Sequence, residues 1–160
     1  HAGHYGAKEV TGVDISASAC ELATENARLN GLENVVHFVE ANAFDLLAEQ
    51  SRAGVKYDVV ILDPPAFTKT RSAIEAATRG YKEINLRAMK MVKPGGYLIT
   101  CSCSQHILPD AFMQIVRDAA HDAHVQLRQV EYRTQGRDHP ILPAAPETQY
   151  LKCGIFQIFD

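Results

Sequence analysis

The 160-residue sequence contains no apolar run approaching the ~18 residues of a membrane span, and no leader that reads as a secretion signal. These absences point to a globular protein of the aqueous phase, with the cytoplasm as the expected compartment and no membrane partner. Cysteine is sparse and scattered at Cys20, Cys101, Cys103 and Cys153. That excludes a small disulfide-stapled scaffold and favours reduced thiols. The net charge of −3 does not announce a nucleic-acid binder. The opening also lacks something. A doubly wound domain normally begins with a strand and a glycine-rich turn, whereas HAGHYGAKEV reads as the tail of a helix running into a strand. The expectation is an N-terminally truncated chain.

What is present is an ordinary globular composition, 46% apolar and 22% charged, in one domain long enough to close a hydrophobic core. The charge is unevenly spread. Residues 69–93 hold seven basic residues against two acidic ones, a local +5 that leaves −8 for the rest. Such a segment is either a solvated helix face or a surface that meets phosphate.

Short apolar runs alternate with helical patterns, the signature of βαβ units and a mostly parallel sheet. Strands are predicted at 9–15 (EVTGVDI), 35–40 (VVHFVE), 57–63 (YDVVILD) and 97–103 (YLITCSC). YDVVILD is nearly continuously apolar and predicts a central strand buried on both faces. Ser16 is a helix N-cap, and Asn30-Gly31 an αL ending. Further helices are predicted over 44–52, 72–92 and 109–123. VQLRQVEYR (125–133) and YLKCGIFQIF (150–159) alternate apolar and polar residues and predict an antiparallel pair.

Three strand ends carry candidate chemistry. Asp14 ends the first strand, where an acidic residue accepts hydrogen bonds from ribose hydroxyls; a carboxylate favoured by the helix dipole is the alternative. Asn42 in VEANAF could pair with an adenine edge between apolar Ala43 and Phe44, or simply cap a helix. Asp63-Pro64-Pro65-Ala66-Phe67 holds a stiff turn with free carbonyls and an aromatic platform, which suits a flipped planar base.

Together GVDIS, VEANAF, ILDPPAF, MVKPGGYLI and the final strand pair resemble class I S-adenosylmethionine-dependent methyltransferases. More narrowly, TGVDIS with ENARLNGL, LDPPAFTKTRS, RGYKEINLRAMKMVKPGG, SCS, DHP and YLKC resemble the RlmI-type 23S rRNA (cytosine-5) methyltransferases. The resemblance implies a Rossmann-like sheet, mostly parallel with an antiparallel C-terminal strand. It implies S-adenosylmethionine as cofactor and ribosomal RNA as substrate. Asp14 and Ile15 would hold the cofactor ribose, Asn42 and Ala43 the adenine, and Asp63 would sit beside the methionine part and the target base. Pro64, Pro65 and Phe67 would line the base slot. The family often has an acidic residue where Asn42 stands. Its glycine-rich cofactor loop, the preceding strand and an RNA-binding PUA domain are expected ahead of His1.

Cytosine C5 is a poor nucleophile until a thiolate adds at C6, so this chemistry needs one placed cysteine. Cys101-x-Cys103 is neither a metal clip, having no second ligand cluster, nor a disulfide, since two strand steps span roughly 6.6 Å with the sulfurs side by side. Packing and nucleophile remain for each thiol. Alternation places both on one face. Cys103 lies one pleat nearer the carboxyl end, where ligands of open α/β sheets sit, and the family's SCS aligns there too. Cys103 is therefore the nucleophile candidate. Related enzymes carry a helper cysteine where this chain has Pro65, so the base that releases product stays unassigned. His139 in Asp138-His139-Pro140 either accepts a proton or anchors a loop. Arg79, Tyr81, Lys82 and Asn85 in RGYKEIN are candidates for RNA or active-site contact, or for plain helix solvation. An RNA N-methyltransferase using DPPAF on an amino group is the rival activity, and a non-catalytic fragment the rival class. The oligomeric state leaves no trace in the sequence.

Overall fold

The computed structural model describes residues 1–68 and 70–159; Lys69 of the basic segment lies outside them, as does the side chain of Arg71. The chain divides into two compact units, His1–Glu49 and Gln50–Asp160.

In the first unit the expected helix tail is a pair of turns, with Tyr5 N–H donating to the His1 carbonyl and Ala7 N–H to that of Ala2, both at 3.0 Å. Strand β1 (Val10–Asp14) and strand β2 (Val36–Glu40) pair in parallel, with Val10 level with Val36 and Asp14 with Glu40. Helix α1 (Ala17–Leu29) joins them. Ser16 Oγ accepts from Ala19 N–H at 3.3 Å and so caps one of its orphan donors. Asn30 ends it, and Gly31 takes φ +66°, a conformation that costs glycine least. Gly12 is needed for a different reason: a Cβ there would meet the Phe38 ring at 2.6 Å. Helix α2 (Ala43–Arg52) follows β2 and runs past the unit boundary.

In the second unit four strands run in the order β3-β4-β6-β5. Strand β3 (Tyr57–Leu62) is parallel to β4 (Val92–Ser102), whereas β6 (Lys152–Phe159) is antiparallel to both β4 and β5 (Gln126–Arg133). The expected C-terminal antiparallel pair is present. The expectation of a doubly buried YDVVILD is corrected. Among the described pairings β3 has one neighbour, and Val59 and Ile61 are 48% and 59% exposed. Helix α3 (Ile74–Met91) covers one face of β3, and among the described residues alternation sends Val59 and Ile61 to the other.

Helix α3 buries Ala77, Tyr81, Ile84, Asn85 and Ala88, a stripe at helical spacing, and packs on β3, β4 and helix α4 (Pro109–Ala123). Pro109 opens α4 at a position where the missing N–H costs nothing, and His124 closes it in the αL conformation. Phe112 and Val116 of α4, Leu98 of β4, and Phe156 and Ile158 of β6 complete the core. The Phe112 ring meets Tyr81 edge-on at 5.9 Å. Phe112→Ala should therefore cost roughly 3–5 kcal/mol, read as a lower denaturant midpoint at unchanged slope.

Candidate active site

The parallel register of β1 and β2 brings two of the predicted strand ends side by side. Ala41 N–H donates to the Asp14 carbonyl at 2.9 Å, tying the end of β2 to the end of β1. The exposed Asp14 carboxylate is fixed by Ser16 N–H on Oδ1 at 2.8 Å. Ile15, 71% exposed, follows it, and Ala43 and Phe44 follow β2 at the same end. Asn42 Oδ1 accepts from Phe44 N–H at 2.9 Å, so its carboxamide oxygen works as a helix cap. Its amide nitrogen is the group left to meet an adenine acceptor. A fixed carboxylate beside exposed apolar side chains suits an adenosine, and these residues fit one.

In the second unit the parallel register of β3 and β4 sets Leu62 opposite Thr100, so Asp63–Phe67 and Cys103 leave the sheet at one end. The Cys103 thiol points at the Pro64 carbonyl, with Sγ to O at 4.0 Å. Around it lies a cavity of about 260 Å³ lined by Ala66, Thr68, Cys103, Gln105, His106 and Tyr150. Strand β4 ends at Ser102, so Cys103 stands just beyond the ladder while Cys101 remains within it. Cys101 lies directly opposite Cys153. Burial, together with a hydrogen bond to Cys153, pushes its thiol far above the ordinary range. The pair that alternation could not separate is separated by where the strand stops.

Buried polar groups hold the Cys103 turn. The Tyr81 hydroxyl and Ser104 Oγ are 2.9 Å apart, and Ser104 N–H donates to Ser102 Oγ at 3.4 Å. The Phe67 ring of the proline motif lies tilted against that of Tyr81, centroids 4.5 Å apart, joining the motif to the same support. Lys152, fully buried, donates from Nζ to the Ser104 carbonyl at 2.7 Å and the Tyr150 carbonyl at 2.8 Å. Burial lowers its pKa to about 8, with negative charge at Cys103 acting the other way. Lys152 was no more than a strand residue by sequence reasoning. Its signal was there: alternation along β6 puts Lys152 on the face of Phe156 and Ile158, an inward position for a cation.

The other predicted residues are dispersed. Asp63 and Pro65 are exposed at the mouth of the turn. The His139 ring stands 5.9 Å from that of Tyr150, beside the cavity wall, and its Nε2 lies 3.5 Å from Asp138 Oδ2. Arg79 and Lys82 do not line the cavity. Arg79 lies 4.0 Å from Glu75, Lys82 2.7 Å from Asp122 and Lys93 2.9 Å from Asp58, and Arg87 pairs with Glu83. Tyr81 and Asn85 are corrected outright as RNA contacts. Both are fully buried, and Asn85 Nδ2 donates to the Tyr81 carbonyl at 2.8 Å.

A family model described as a methyltransferase domain matches residues 3–145. The chain belongs to that family. Among curated relatives, the Ribosomal RNA large subunit methyltransferase I of Aeromonas salmonicida is 45% identical over 148 residues, 92% of this chain and 37% of that protein. The namesake from Shewanella denitrificans is 43% identical over 153 residues, 95% of this chain and 38% of that one. The chain thus spans under two fifths of the length of these relatives. Among solved structures, SMU.776, described as a candidate methyltransferase and complexed with SAH, superposes with a TM-score of 0.82 at 17% identity over 95% of this chain and 40% of that one. NSun6 from Pyrococcus horikoshii with SFG gives 0.64 at 20% identity over 93% and 41%. At such identities the likeness speaks for the α/β methyltransferase fold alone.

Within this methyltransferase domain Lys152 makes a measurable demand on stability. Folded, it releases its proton near pH 8; unfolded, near its ordinary 10.5. Between those values the unfolded chain holds more protons, so this group's contribution to stability rises with pH from about 8 to about 10.5. Denaturant midpoints of the wild type and Lys152→Met, compared at pH 7.5 and 10, should move in the wild type's favour at the higher pH. A gap that stays constant or narrows contradicts this.

Proposed function

We propose that this methyltransferase domain transfers a methyl group from S-adenosylmethionine to C5 of a cytosine in ribosomal RNA, through a covalent adduct on Cys103, in the cytoplasm. The observation that carries the reading is the Cys103 thiol beside the Pro64 carbonyl, 4.0 Å away, at the wall of a cavity adjoining the proline motif. The names of the curated relatives, 45% and 43% identical to this chain over the 148 and 153 residues aligned, support ribosomal RNA as the substrate.

Asp14 takes the ribose hydroxyls, Ile15 and Ala43 flank the adenosine, and the Asn42 amide nitrogen meets the adenine. Pro64, Pro65 and Phe67 bound the slot for the target base. The Cys103 thiolate adds to C6, and the electrons of the C5–C6 double bond shift to make C5 nucleophilic. S-adenosylmethionine, when bound, supplies the electrophilic methyl. A base then removes the C5 proton, the electrons re-form the C5–C6 bond, and the thiolate leaves C6. Asp63, exposed at the end of β3, is the carboxylate placed to orient the base. His139 lies within loop reach of the cavity as a proton acceptor. Arg79 and Lys82, paired at exposed positions with Glu75 and Asp122, are a secondary RNA surface away from the cavity.

The rival, an N-methyltransferase using the proline motif on an amino group, treats Cys103 as packing. In the complete protein, Cys103→Ala should lower methylation of ribosomal RNA by roughly a thousandfold or more, while Cys101→Ala keeps the activity and loses stability of order 1 kcal/mol. RNA carrying 5-fluorocytidine at the target should form a denaturation-resistant adduct, because fluorine blocks the final proton removal. Full activity in Cys103→Ala, with no adduct, hands the site to the rival.

A further inference from the structure

The amine of Lys152 has two hydrogen-bond acceptors, the carbonyls of Ser104 and Tyr150, and among the described residues no carboxylate comes within salt-bridge distance of it. Ser104 is the residue after Cys103, and Tyr150 lines the cavity that Cys103 lines. One buried nitrogen therefore joins two walls of that cavity, the end of β4 and the approach to β6. A neutral donor could hold two carbonyls equally well. An ammonium buried without a counter-ion is costly, and it persists where the site itself generates an anion.

We propose that Lys152 is the positioning residue of Cys103: its ammonium pins the Cys103–Ser104 turn against Tyr150 and is the counter-charge of the Cys103 thiolate. This rests on the reading of Cys103 as nucleophile and extends it to a residue that touches neither the substrate nor the reacting carbon. The groups around Lys152 are few. The turn brings Cys103. Helix α3 brings the Tyr81 phenol, through Ser104. The cavity wall brings His106 and Tyr150. Cys101 and Cys153 face each other within the ladder, whereas Cys103 stands beyond its end, one residue before the Ser104 carbonyl that the ammonium holds, so Cys103 is the thiol that the ammonium serves.

The test is the chemical reactivity of Cys103, which needs neither RNA nor cofactor. In the complete protein, the rate of iodoacetamide labelling at pH 7.0 is read on the Cys103 peptide by mass spectrometry, with Cys20 as internal reference. Lys152→Gln keeps an amide donor for both carbonyls but removes the charge, and should slow Cys103 at least tenfold. Lys152→Arg keeps the charge and should stay within about threefold of wild type. A Gln variant that labels at the wild-type rate, or Gln and Arg variants that slow equally, overturns the proposal in favour of simple packing. Should the Gln variant unfold, which new labelling of Cys101 and Cys153 would reveal, the wild-type rate between pH 6 and 10 decides. A thiolate coupled to an ammonium should give a profile broader than one proton, and a single-proton curve overturns the pairing. Methylation by Cys103→Ala is read separately, so loss of the nucleophile reading and loss of the Lys152 role are distinguishable.

Discussion

The hydrogen bond from the Lys152 ammonium to the Ser104 carbonyl, 2.7 Å long and closed to solvent, is the constraint on which the Cys103 site depends. A thiol just past the last ladder pair of a strand would otherwise swing with its loop. Here the next residue is held through its carbonyl by β6 and through its hydroxyl by Tyr81 of α3. Tyr81 in turn is wedged between Phe67 and Phe112. A displacement of α3 or β6 is thereby transmitted to the sulfur. The apolar core and the Cys103 sulfur share one set of supports, which is what pre-organises a side chain at a site.

The elements of the fold were legible because their signals are local. Ser16, Asn30-Gly31 and Pro109 each mark a helix end through a backbone group that must be satisfied or can be spared. The period-two alternation of residues 125–133 and 150–159 marked β5 and β6 as an antiparallel pair. The strand-end principle ranked Cys103 ahead of Cys101 as a candidate, and β4 ends at Ser102, between the two. What was not legible depends on neighbours distant in sequence. A continuous apolar run such as YDVVILD does not disclose how many of its faces are covered. Tyr81 and Asn85 look like helix-surface polar residues until α3 packs on α4, the Tyr81 hydroxyl meets Ser104 and the Tyr81 carbonyl takes the Asn85 amide N–H. Asn42 carried two equally good readings, and the cap it makes occupies its oxygen without claiming its nitrogen.

The basic segment shows why a local charge count is a weak guide to a partner. Of its residues Arg79, Lys82, Arg87 and Lys93 each face a carboxylate, two on α3 itself and two contributed by Asp122 of α4 and Asp58 of β3. Exposed pairs of this kind contribute little to stability and can be exchanged for phosphate at small cost. Their arrangement is consistent with a surface that holds its charges in place until a polyanion competes for them.

The double proline follows from the same economy of donors. Neither Pro64 nor Pro65 has an N–H, so nothing within that dipeptide can extend the β3 ladder. The Pro64 carbonyl is left as an acceptor at the place where the Cys103 thiol arrives. The residue after Cys103 is held in turn by the amine of Lys152 through the Ser104 carbonyl. The sulfur thus stands between an acceptor freed by the proline motif and a turn anchored by β6, so the missing donors of two prolines and one buried lysine together fix where it sits.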